Sequence, residues 1–254
     1  MGEPVITALT TDDLAQAVRD PTHDPLPLLI LALNDPAANV REAAIRYLRE
    51  MPSPRAVAGL SRRLGLGQAE AEEIRWQAAE ALGIIGDPAA IPALLAAVTD
   101  RCPAVRLCVA EALGMIGRGD PRVAPALCRL AADPDSAVRV FALEAIGDLG
   151  DPFSLPTLRT RLPAEHGKPW VRVWIWYALA RLGADPFPLP RALALLRNGG
   201  FGARVQAAQA LVRIAVPATQ GRIRHALEAA AIRDEFLNRA LDDLNTRFPD
   251  DETK

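Results

Sequence analysis

Metal-binding or nucleophilic chemistry in this chain would depend on its cysteines and histidines: Cys102, Cys108, Cys128, His23, His166 and His225. The cysteines lack the paired spacing of a zinc site or a redox dithiol, and their odd number argues against a disulfide framework. The histidines lie far apart in the sequence, and none is followed by a glutamate. We therefore predict no catalytic residue, no metal and no cofactor, and we treat Cys108 as an ordinary free cysteine rather than a reactive thiol.

Carboxylates are the other candidates for chemistry, and three of them recur at similar intervals: Glu80, Glu111 and Glu144. Equivalent residues on stacked helices lie about 10 Å apart. Carboxylates at that separation are poorly placed for paired acid–base catalysis, and no histidine adjoins them. Such a row would repel phosphate and attract the Arg or Lys side chains of a partner, or it would be a solvated structural row.

The elements that position these residues follow from a longer repeat. An arginine recurs at intervals of 31 to 34 residues: Arg41, Arg75, Arg106, Arg139, Arg172 and Arg204. This period is too long for one helix and too short for a domain, so it indicates a stacked repeat.

Each repeat has the pattern of a helical hairpin. An Asp-Pro pair such as Asp87-Pro88 starts a first helix, because proline suits the first turn. A second helix begins near the arginine and ends at a glycine that tolerates a left-handed cap: Gly86, Gly117, Gly150 or Gly183. The predicted repeats are 24–52, 53–86, 87–119, 120–150, 151–183 and 184–216, with a C-terminal cap at 217–247.

Two stretches carry a resemblance to a known family. The run from Val105-Arg106 to Ala112-Leu113-Gly114, and the turn Gly150-Asp151-Pro152, resemble the short HEAT-like repeat found in phycobilisome (bilin) lyase subunits. The resemblance covers most of the chain and implies one all-α domain, 1–254. That domain would be a right-handed α-α superhelix, a HEAT-like α-solenoid of about six to seven hairpins with terminal caps. Deoxyhypusine hydroxylases, a related repeat family, bind iron through His-Glu pairs that this chain lacks.

The recurring arginine has a predicted structural role. An aspartate precedes it by six residues at Asp35, Asp100 and Asp133, and His166 takes a similar place later. We expect each arginine to reach that residue or its counterpart in the neighbouring repeat, and to satisfy carbonyls of the turn. This structural ladder comprises Asp35, Arg41, Arg75, Asp100, Arg106, Asp133, Arg139, Arg172 and Arg204.

The face of each second helix opposite its apolar positions is the candidate binding surface. It would line the concave side of a HEAT-like solenoid. The predicted partner-binding residues are Trp76, Glu80, Leu107, Glu111, Met115, Phe141, Glu144, Asp148, Trp174, Tyr177, Arg181 and Arg213. Only 5% of the chain is aromatic, yet four of these residues are aromatic, so we expect an exposed patch that holds an amphipathic helix or a globular partner. The alternative is that the rings pack between neighbouring helices.

Composition restricts the partners. The net charge of −2 and the lack of a basic stripe argue against nucleic acid. The longest apolar run, 26–33, is far shorter than the ~20 residues of a membrane span, and we expect a soluble cytoplasmic protein. The favoured function is a non-catalytic scaffold that binds a protein or peptide through its concave face, and a homodimer or a heterodimer with another repeat protein is an option. The alternative, implied by the resemblance, is a bilin (phycocyanobilin) lyase-like subunit acting on phycobiliproteins.

Overall fold

The computed structural model of the chain describes residues 9–65, 67–231 and 235–249. All regular structure in those residues is helical, with fifteen α-helices and five single-turn 3₁₀ segments. The α-helices are α1 (Thr11–Arg19), α2 (Leu26–Ala32), α3 (Ala38–Glu50), α4 (Val57–Gly65), α5 (Glu72–Ile85), α6 (Ile91–Ala96), α7 (Pro103–Ile116), α8 (Val123–Leu130), α9 (Ser136–Leu149), α10 (Leu155–Ala164), α11 (Pro169–Arg181), α12 (Leu189–Asn198), α13 (Phe201–Ile214), α14 (Pro217–Ala231) and α15 (Glu235–Arg247). The predicted all-α solenoid is confirmed.

From α2 onward, the helices form consecutive hairpins, each with a first and a second helix. Second helices pack on second helices, as α3 does on α5 and α5 on α7, and first helices pack on first helices, as α4 does on α6. The residue seven positions after each recurring arginine is buried between the first helices and the second helices. These residues are Leu48, Leu82, Leu113, Ile146, Leu179 and Leu211.

The chain divides into two compact units, and the division falls within α9. Unit 1 is Met1–Ala145, and unit 2 is Ile146–Lys254. In unit 2, α11 packs on α13, α13 on α15 and α12 on α14, so the rule that like helices pack together applies within each unit.

Polar caps start several of the first helices, as the Asp-Pro pairs predict. The Asp87 carboxylate accepts a hydrogen bond from the backbone N–H of Ala89 at 2.9 Å. The Asp151 carboxylate accepts one from Phe153 at the same distance. Because the proline between the capping aspartate and the residue that donates to it has no N–H to satisfy, the turn closes without an unpaired donor.

Glycine ends the second helices in two different ways. Gly86, Gly150 and Gly183 have φ values of 76°, 72° and 67°, which is the left-handed conformation predicted for a cap. Gly117 does not adopt it, since its φ is −82°, and the left-handed residue of that turn is Gly119. Gly117 is instead required for space, because a Cβ there would lie 2.4 Å from the Leu113 carbonyl oxygen.

Glycine also brings the second helices of unit 1 close together. A Cβ on Gly83 would lie 3.0 Å from the Cβ of Ala112, and a Cβ on Gly114 would lie 2.7 Å from that of Ala145. The recurring Ala-Leu-Gly sequence therefore places a glycine of one repeat against an alanine of the next. This close approach leaves little depth between the helices for larger side chains.

Candidate functional site

The recurring arginines of unit 1 join each turn to the next repeat. The Arg106 guanidinium donates from Nη1 to the carbonyls of Asp100 and Arg101, at 2.7 and 3.1 Å. Its Nε and Nη2 donate to the two carboxylate oxygens of Asp133, at 2.7 and 2.8 Å. One side chain thus satisfies carbonyls in its own turn and the carboxylate that caps the following turn.

Arg75 and Asp100 make the same bidentate pair in a more buried setting. Both hydrogen bonds measure 2.8 Å, and the two side chains are 4% and 5% exposed. Burial works against the ionised form of Asp100, but hydrogen bonds from Arg75 and from the Cys102 N–H outweigh it, so the pKa of Asp100 lies below its ordinary value. The hydrogen bond to Asp100 likewise raises the pKa of Arg75. Both groups are therefore charged at neutral pH.

Glu70 is a buried acid that the sequence pattern missed. It precedes Arg75 by five residues rather than six, in the lengthened turn after α4. Its carboxylate accepts hydrogen bonds from Arg41 at 2.7 Å, from Arg63 at 3.2 Å and from the Ala71 N–H at 3.1 Å. Burial opposes its ionisation, but these hydrogen bonds bring its pKa below the ordinary value. In this turn, Glu70 makes the contacts that an aspartate makes elsewhere.

The other turn carbonyls of unit 1 are held in the same manner. Arg41 donates to the carbonyls of Asp35 and Pro36, both at 2.8 Å. Arg139, which is 3% exposed, donates to the carbonyl of Asp133 at 2.7 Å and to that of Pro134 at 3.0 Å.

In unit 2 the corresponding residues differ. Arg172 lies over the ring of Trp176, 5.4 Å from its centroid, and Arg204 is half-buried. His166, expected in the aspartate position, is exposed. The neighbouring Glu165 is 3% exposed and accepts a hydrogen bond from Arg161, so Glu165 rather than His166 is the buried acid of this turn.

The second-helix face of unit 1 combines apolar and acidic side chains. Its members are Trp76, Glu80, Ile84, Leu107, Glu111, Met115, Phe141 and Glu144. Met115 and Ile84 are the most open, with 57% and 42% of their surface exposed, and the other six are half-buried. Glu80 accepts a hydrogen bond from Arg49 at 2.7 Å. This face therefore presents an apolar strip beside a row of carboxylates.

Cys108 lies on α7 among these carboxylates. Burial, with a smaller contribution from the charges of Glu80 and Glu111, raises the pKa of the Cys108 thiol to about 12. Such a thiol is protonated at neutral pH and is a poor nucleophile.

The two aromatic residues of unit 2 that were expected to be exposed, Trp174 and Tyr177, are buried. Trp174 is 1% and Tyr177 2% exposed. The Trp174 indole donates a hydrogen bond to the Gln206 side chain at 2.5 Å. The rings of Trp174 and Tyr177 meet edge to face, with their centroids 5.4 Å apart. Gly147 provides the space, since a Cβ there would lie 2.6 Å from the Tyr177 ring. The rings fill gaps between helices instead of forming a groove.

Asp148 and Arg213 belong to the same closed arrangement. The Tyr177 hydroxyl donates to one oxygen of Asp148, and Arg213 donates to the other at 3.0 Å. Burial, together with the neighbouring Asp148, raises the pKa of Tyr177 to about 12, so the hydroxyl keeps its proton. Of the unit 2 residues predicted to bind a partner, Arg181 alone is exposed without a hydrogen bond or ion pair to the part of the chain that the structure describes.

Within residues 9–65, 67–231 and 235–249, no group of three or more His, Cys, Asp or Glu side chains is placed to hold a metal ion. Among the same residues, no helix has the length and apolar character needed to cross a bilayer.

Comparisons with known proteins agree on the fold. In the solved complex of CpcE and CpcF of phycocyanin lyase from Nostoc sp. PCC7120, a chain 21% identical to this one superposes with a TM-score of 0.65, covering 90% of this chain and 96% of the other. An engineered protein at 18% identity gives a TM-score of 0.50, with 88% and 98% covered. No curated protein matched the chain significantly. The model of HEAT repeats matches residues 65–139 and 128–211, which together make up more than half of the sequence. The chain therefore belongs to the HEAT-repeat family.

Proposed function

We propose that this protein is a non-catalytic scaffold that binds a segment of a partner protein on the second-helix face of unit 1. The observation that supports it is the open apolar strip of Ile84 and Met115 beside the carboxylates of Glu80, Glu111 and Glu144. This is the part of the face, concave in a HEAT-like solenoid, that keeps large apolar side chains exposed. Trp76, Leu107 and Phe141 extend the strip at half-buried positions and are the remaining apolar members of the face.

The size and charge of the face suit a short amphipathic helix. Neighbouring helices are spaced about 8–10 Å apart, so α5, α7 and the start of α9 cover roughly 20 Å. At 1.5 Å per residue, that distance corresponds to about thirteen residues of a bound helix. Apolar side chains of the partner would cover Met115 and Ile84, and its Arg or Lys side chains would face the glutamates.

Affinity capture from the native host tests this proposal. The bait would be the wild type or an Ile84→Asp/Met115→Asp variant, whose changes lie at exposed positions. The matched control is Leu31→Asp, because Leu31 is a 62% exposed apolar residue of unit 1 outside this face. We expect a protein that binds the wild type and the control but not the double variant.

The charge of the site is tested with the captured partner. Glu111→Gln/Glu144→Gln should weaken the complex, and the wild-type complex should weaken as salt is raised from 50 to 300 mM. A partner retained equally by every variant would show that this face is not the binding surface.

A second candidate is a bilin lyase-like subunit, favoured by the likeness of the fold to the phycocyanin lyase complex. The aromatic groove that would stack on a tetrapyrrole is closed in unit 2, because Trp174 and Tyr177 are buried. Of the two arginines that could pair with its propionates, Arg213 is held by Asp148, whereas Arg181 is exposed. The burial of Trp174 and Tyr177 makes the scaffold the better supported function.

The lyase-like candidate has its own experiment. Phycocyanobilin would be titrated into the purified protein, with and without an apo-phycobiliprotein, and visible absorption would be recorded. A red-shifted spectrum that depends on the protein, followed by covalent transfer to the apo-phycobiliprotein, would favour this function over the scaffold. An unchanged spectrum would exclude it.

A further inference from the structure

The turn between α11 and α12 differs from the other turns that begin with an Asp-Pro pair. In those turns the aspartate carboxylate accepts a hydrogen bond from the backbone N–H two residues later, at 2.9 Å for each of Asp87, Asp120 and Asp151. Asp185 begins the corresponding pair here. It is exposed and makes no hydrogen bond or ion pair with any residue that the structure describes. Its carboxylate therefore does not cap the turn.

A proline explains this difference. Pro188 stands three residues after the aspartate, where two of the capped turns have Ala90 and Ser154 and form a 3₁₀ segment. Proline disfavours helical backbone at the residue before it, which is Phe187 in this turn. The chain bends at Pro188 instead, and the Leu189 N–H donates a hydrogen bond to the Phe187 carbonyl at 2.8 Å. The 3₁₀ segment that would engage the aspartate carboxylate therefore does not form.

An apolar cavity of about 390 Å³ lies beside this turn, where α11 leads into α12 and α13 leads into α14. Its largest apolar side chains are those of Phe187, Leu189, Ile214 and Val216, and Val216 is 49% exposed. A cavity of this size is at the small end of ligand pockets and suits one large side chain. Because a free small molecule is normally enclosed on most of its surface, the open wall at Val216 favours a side chain that belongs to a protein segment.

The polar groups at the cavity favour a cation. Among the residues that the structure describes, Asp185 is the one charged residue on its wall, and no arginine or lysine lines it. The Thr219 hydroxyl is already engaged, because it donates a hydrogen bond to the Val216 carbonyl at 3.2 Å and accepts one from the Val216 N–H at 3.1 Å. Arg181, four residues before Asp185, is exposed and makes no ion pair with it in the described chain. An unpaired carboxylate beside apolar side chains is complementary to an Arg or Lys of a ligand.

We propose that the cavity of unit 2 binds a protein segment in which a large apolar side chain lies next to an Arg or Lys. The apolar side chain enters the cavity beside Phe187 and Val216, and the cation pairs with the Asp185 carboxylate. Pro188 keeps that carboxylate available, because it prevents the turn that would engage it. The site uses none of the residues of the second-helix face of unit 1, so it does not depend on the proposed function.

The same charge argues against acidic and neutral occupants. A phosphate or carboxylate in the cavity would face Asp185, and none of the lining side chains is a cation that could offset the repulsion. A wholly apolar segment would fill the cavity but would leave Asp185 unpaired beside it. A basic segment satisfies both parts of the wall, so the three kinds of occupant should bind with different affinities.

Fluorescence anisotropy with labelled synthetic peptides tests the site. The probe is a twelve-residue peptide of Ser and Gly with a central Leu-Arg pair. One matched peptide has Ser in place of the Leu, a second has Gln in place of the Arg, and a third has Glu in place of the Arg. The wild type is measured beside the Ile84→Asp/Met115→Asp variant, in which the second-helix face of unit 1 is disabled. We expect both proteins to bind the Leu-Arg peptide best and the Glu peptide least, and the Leu-Arg complex to weaken as salt rises from 50 to 300 mM.

Further variants, made in the Ile84→Asp/Met115→Asp background, locate the binding. Asp185→Asn should lower the affinity for the Leu-Arg peptide about two- to fivefold, the range expected for one exposed ion pair, and should leave the affinity for the Gln peptide unchanged. Val216→Lys should lower the affinity for the Leu-Arg peptide about tenfold or more, because it places a cation beside a basic segment. Thermal unfolding should stay cooperative in both. The control Glu228→Gln changes an exposed carboxylate of α14 that does not line the cavity, and its affinity should not change.

Three results would overturn the proposal. They are equal affinity for the Leu-Arg and Gln peptides, unchanged affinity in Asp185→Asn, and tighter binding of the Glu peptide. Binding by the wild type that disappears in the Ile84→Asp/Met115→Asp variant would also overturn it, because the peptide would then occupy the second-helix face of unit 1. Conversely, a failed affinity capture on that face, together with the expected peptide binding, would contradict the proposed function and leave this site standing.

Discussion

Replacing Asp100 by alanine is expected to destabilise unit 1 by about 3–5 kcal/mol, which is the usual cost of leaving a buried charge without its partner. Asp100 accepts both hydrogen bonds of the Arg75 fork at 2.8 Å, and the two side chains are 5% and 4% exposed. In the variant, the Arg75 guanidinium would lose both hydrogen bonds to the carboxylate and keep the one to the carbonyl of Glu70. Since domains are stable by only about 5–15 kcal/mol, the loss would be a large fraction of the total.

Urea denaturation followed by far-ultraviolet circular dichroism measures this change. We expect a lower midpoint with an unchanged m value, because the native surface area is preserved. The control is Arg55→Ala, since the Arg55–Asp24 pair has both side chains 60% exposed and should contribute at most about 1 kcal/mol. The double variant Arg75→Met/Asp100→Leu should recover much of the loss, because it removes both charges. If Asp100→Ala and Arg55→Ala had equal effects, the argument from burial would be wrong.

Three further predictions concern other contacts. Tyr177→Phe removes a hydroxyl donor and should lower the free energy of unfolding by about 1 kcal/mol in thermal denaturation. A loss above ~3 kcal/mol would indicate a packing role instead. Gly114→Val should lower the free energy of unfolding by about 1–3 kcal/mol, because the added side chain would overpack the helix contact. Gly202→Ala should be nearly neutral in the same measurement, because the space around its Cβ is open. The pKa of Glu70 is lowered in the fold, so its contribution is present above the unfolded value of about 4.3 and is lost as pH falls through the folded value. Urea midpoints from pH 7 to pH 3 should therefore fall more steeply for the wild type than for Glu70→Gln, and equal slopes would contradict the assignment.

The hairpins could be predicted from the sequence because their signals are local. Proline and glycine mark where helices start and end, and the period of the arginine marks how often the unit repeats. The six-residue spacing between Asp100 and Arg106 also anticipates a hydrogen bond within one turn, from Arg106 to the Asp100 carbonyl. The six-residue spacing does not identify Glu70, because its turn is longer and a spacing rule assumes turns of constant length.

The burial of Trp174 and Tyr177 could not be predicted from periodicity. A helical wheel gives the direction of a side chain from its own helix, but not the depth of the gap beside it. That depth depends on neighbours in another repeat: Gly147 leaves space for the Tyr177 ring, and Gln206 provides an acceptor for the Trp174 indole. Both rings have a polar partner, Gln206 for Trp174 and Asp148 for Tyr177. Because buried Trp and Tyr usually satisfy their polar atoms, these partners were the signal that indicated burial.

The same repeat position has different consequences in the two units. Five residues after the recurring arginine, unit 1 carries Glu80, Glu111 and Glu144, and tight Gly–Ala contacts beside them leave Met115 on the surface. In the first repeat of unit 2 that position is Tyr177, whose ring fills the gap over a glycine and whose hydroxyl donates a hydrogen bond to a carboxylate. The second-helix face thus offers an apolar and acidic surface in unit 1, whereas Trp174 and Tyr177 close it in unit 2.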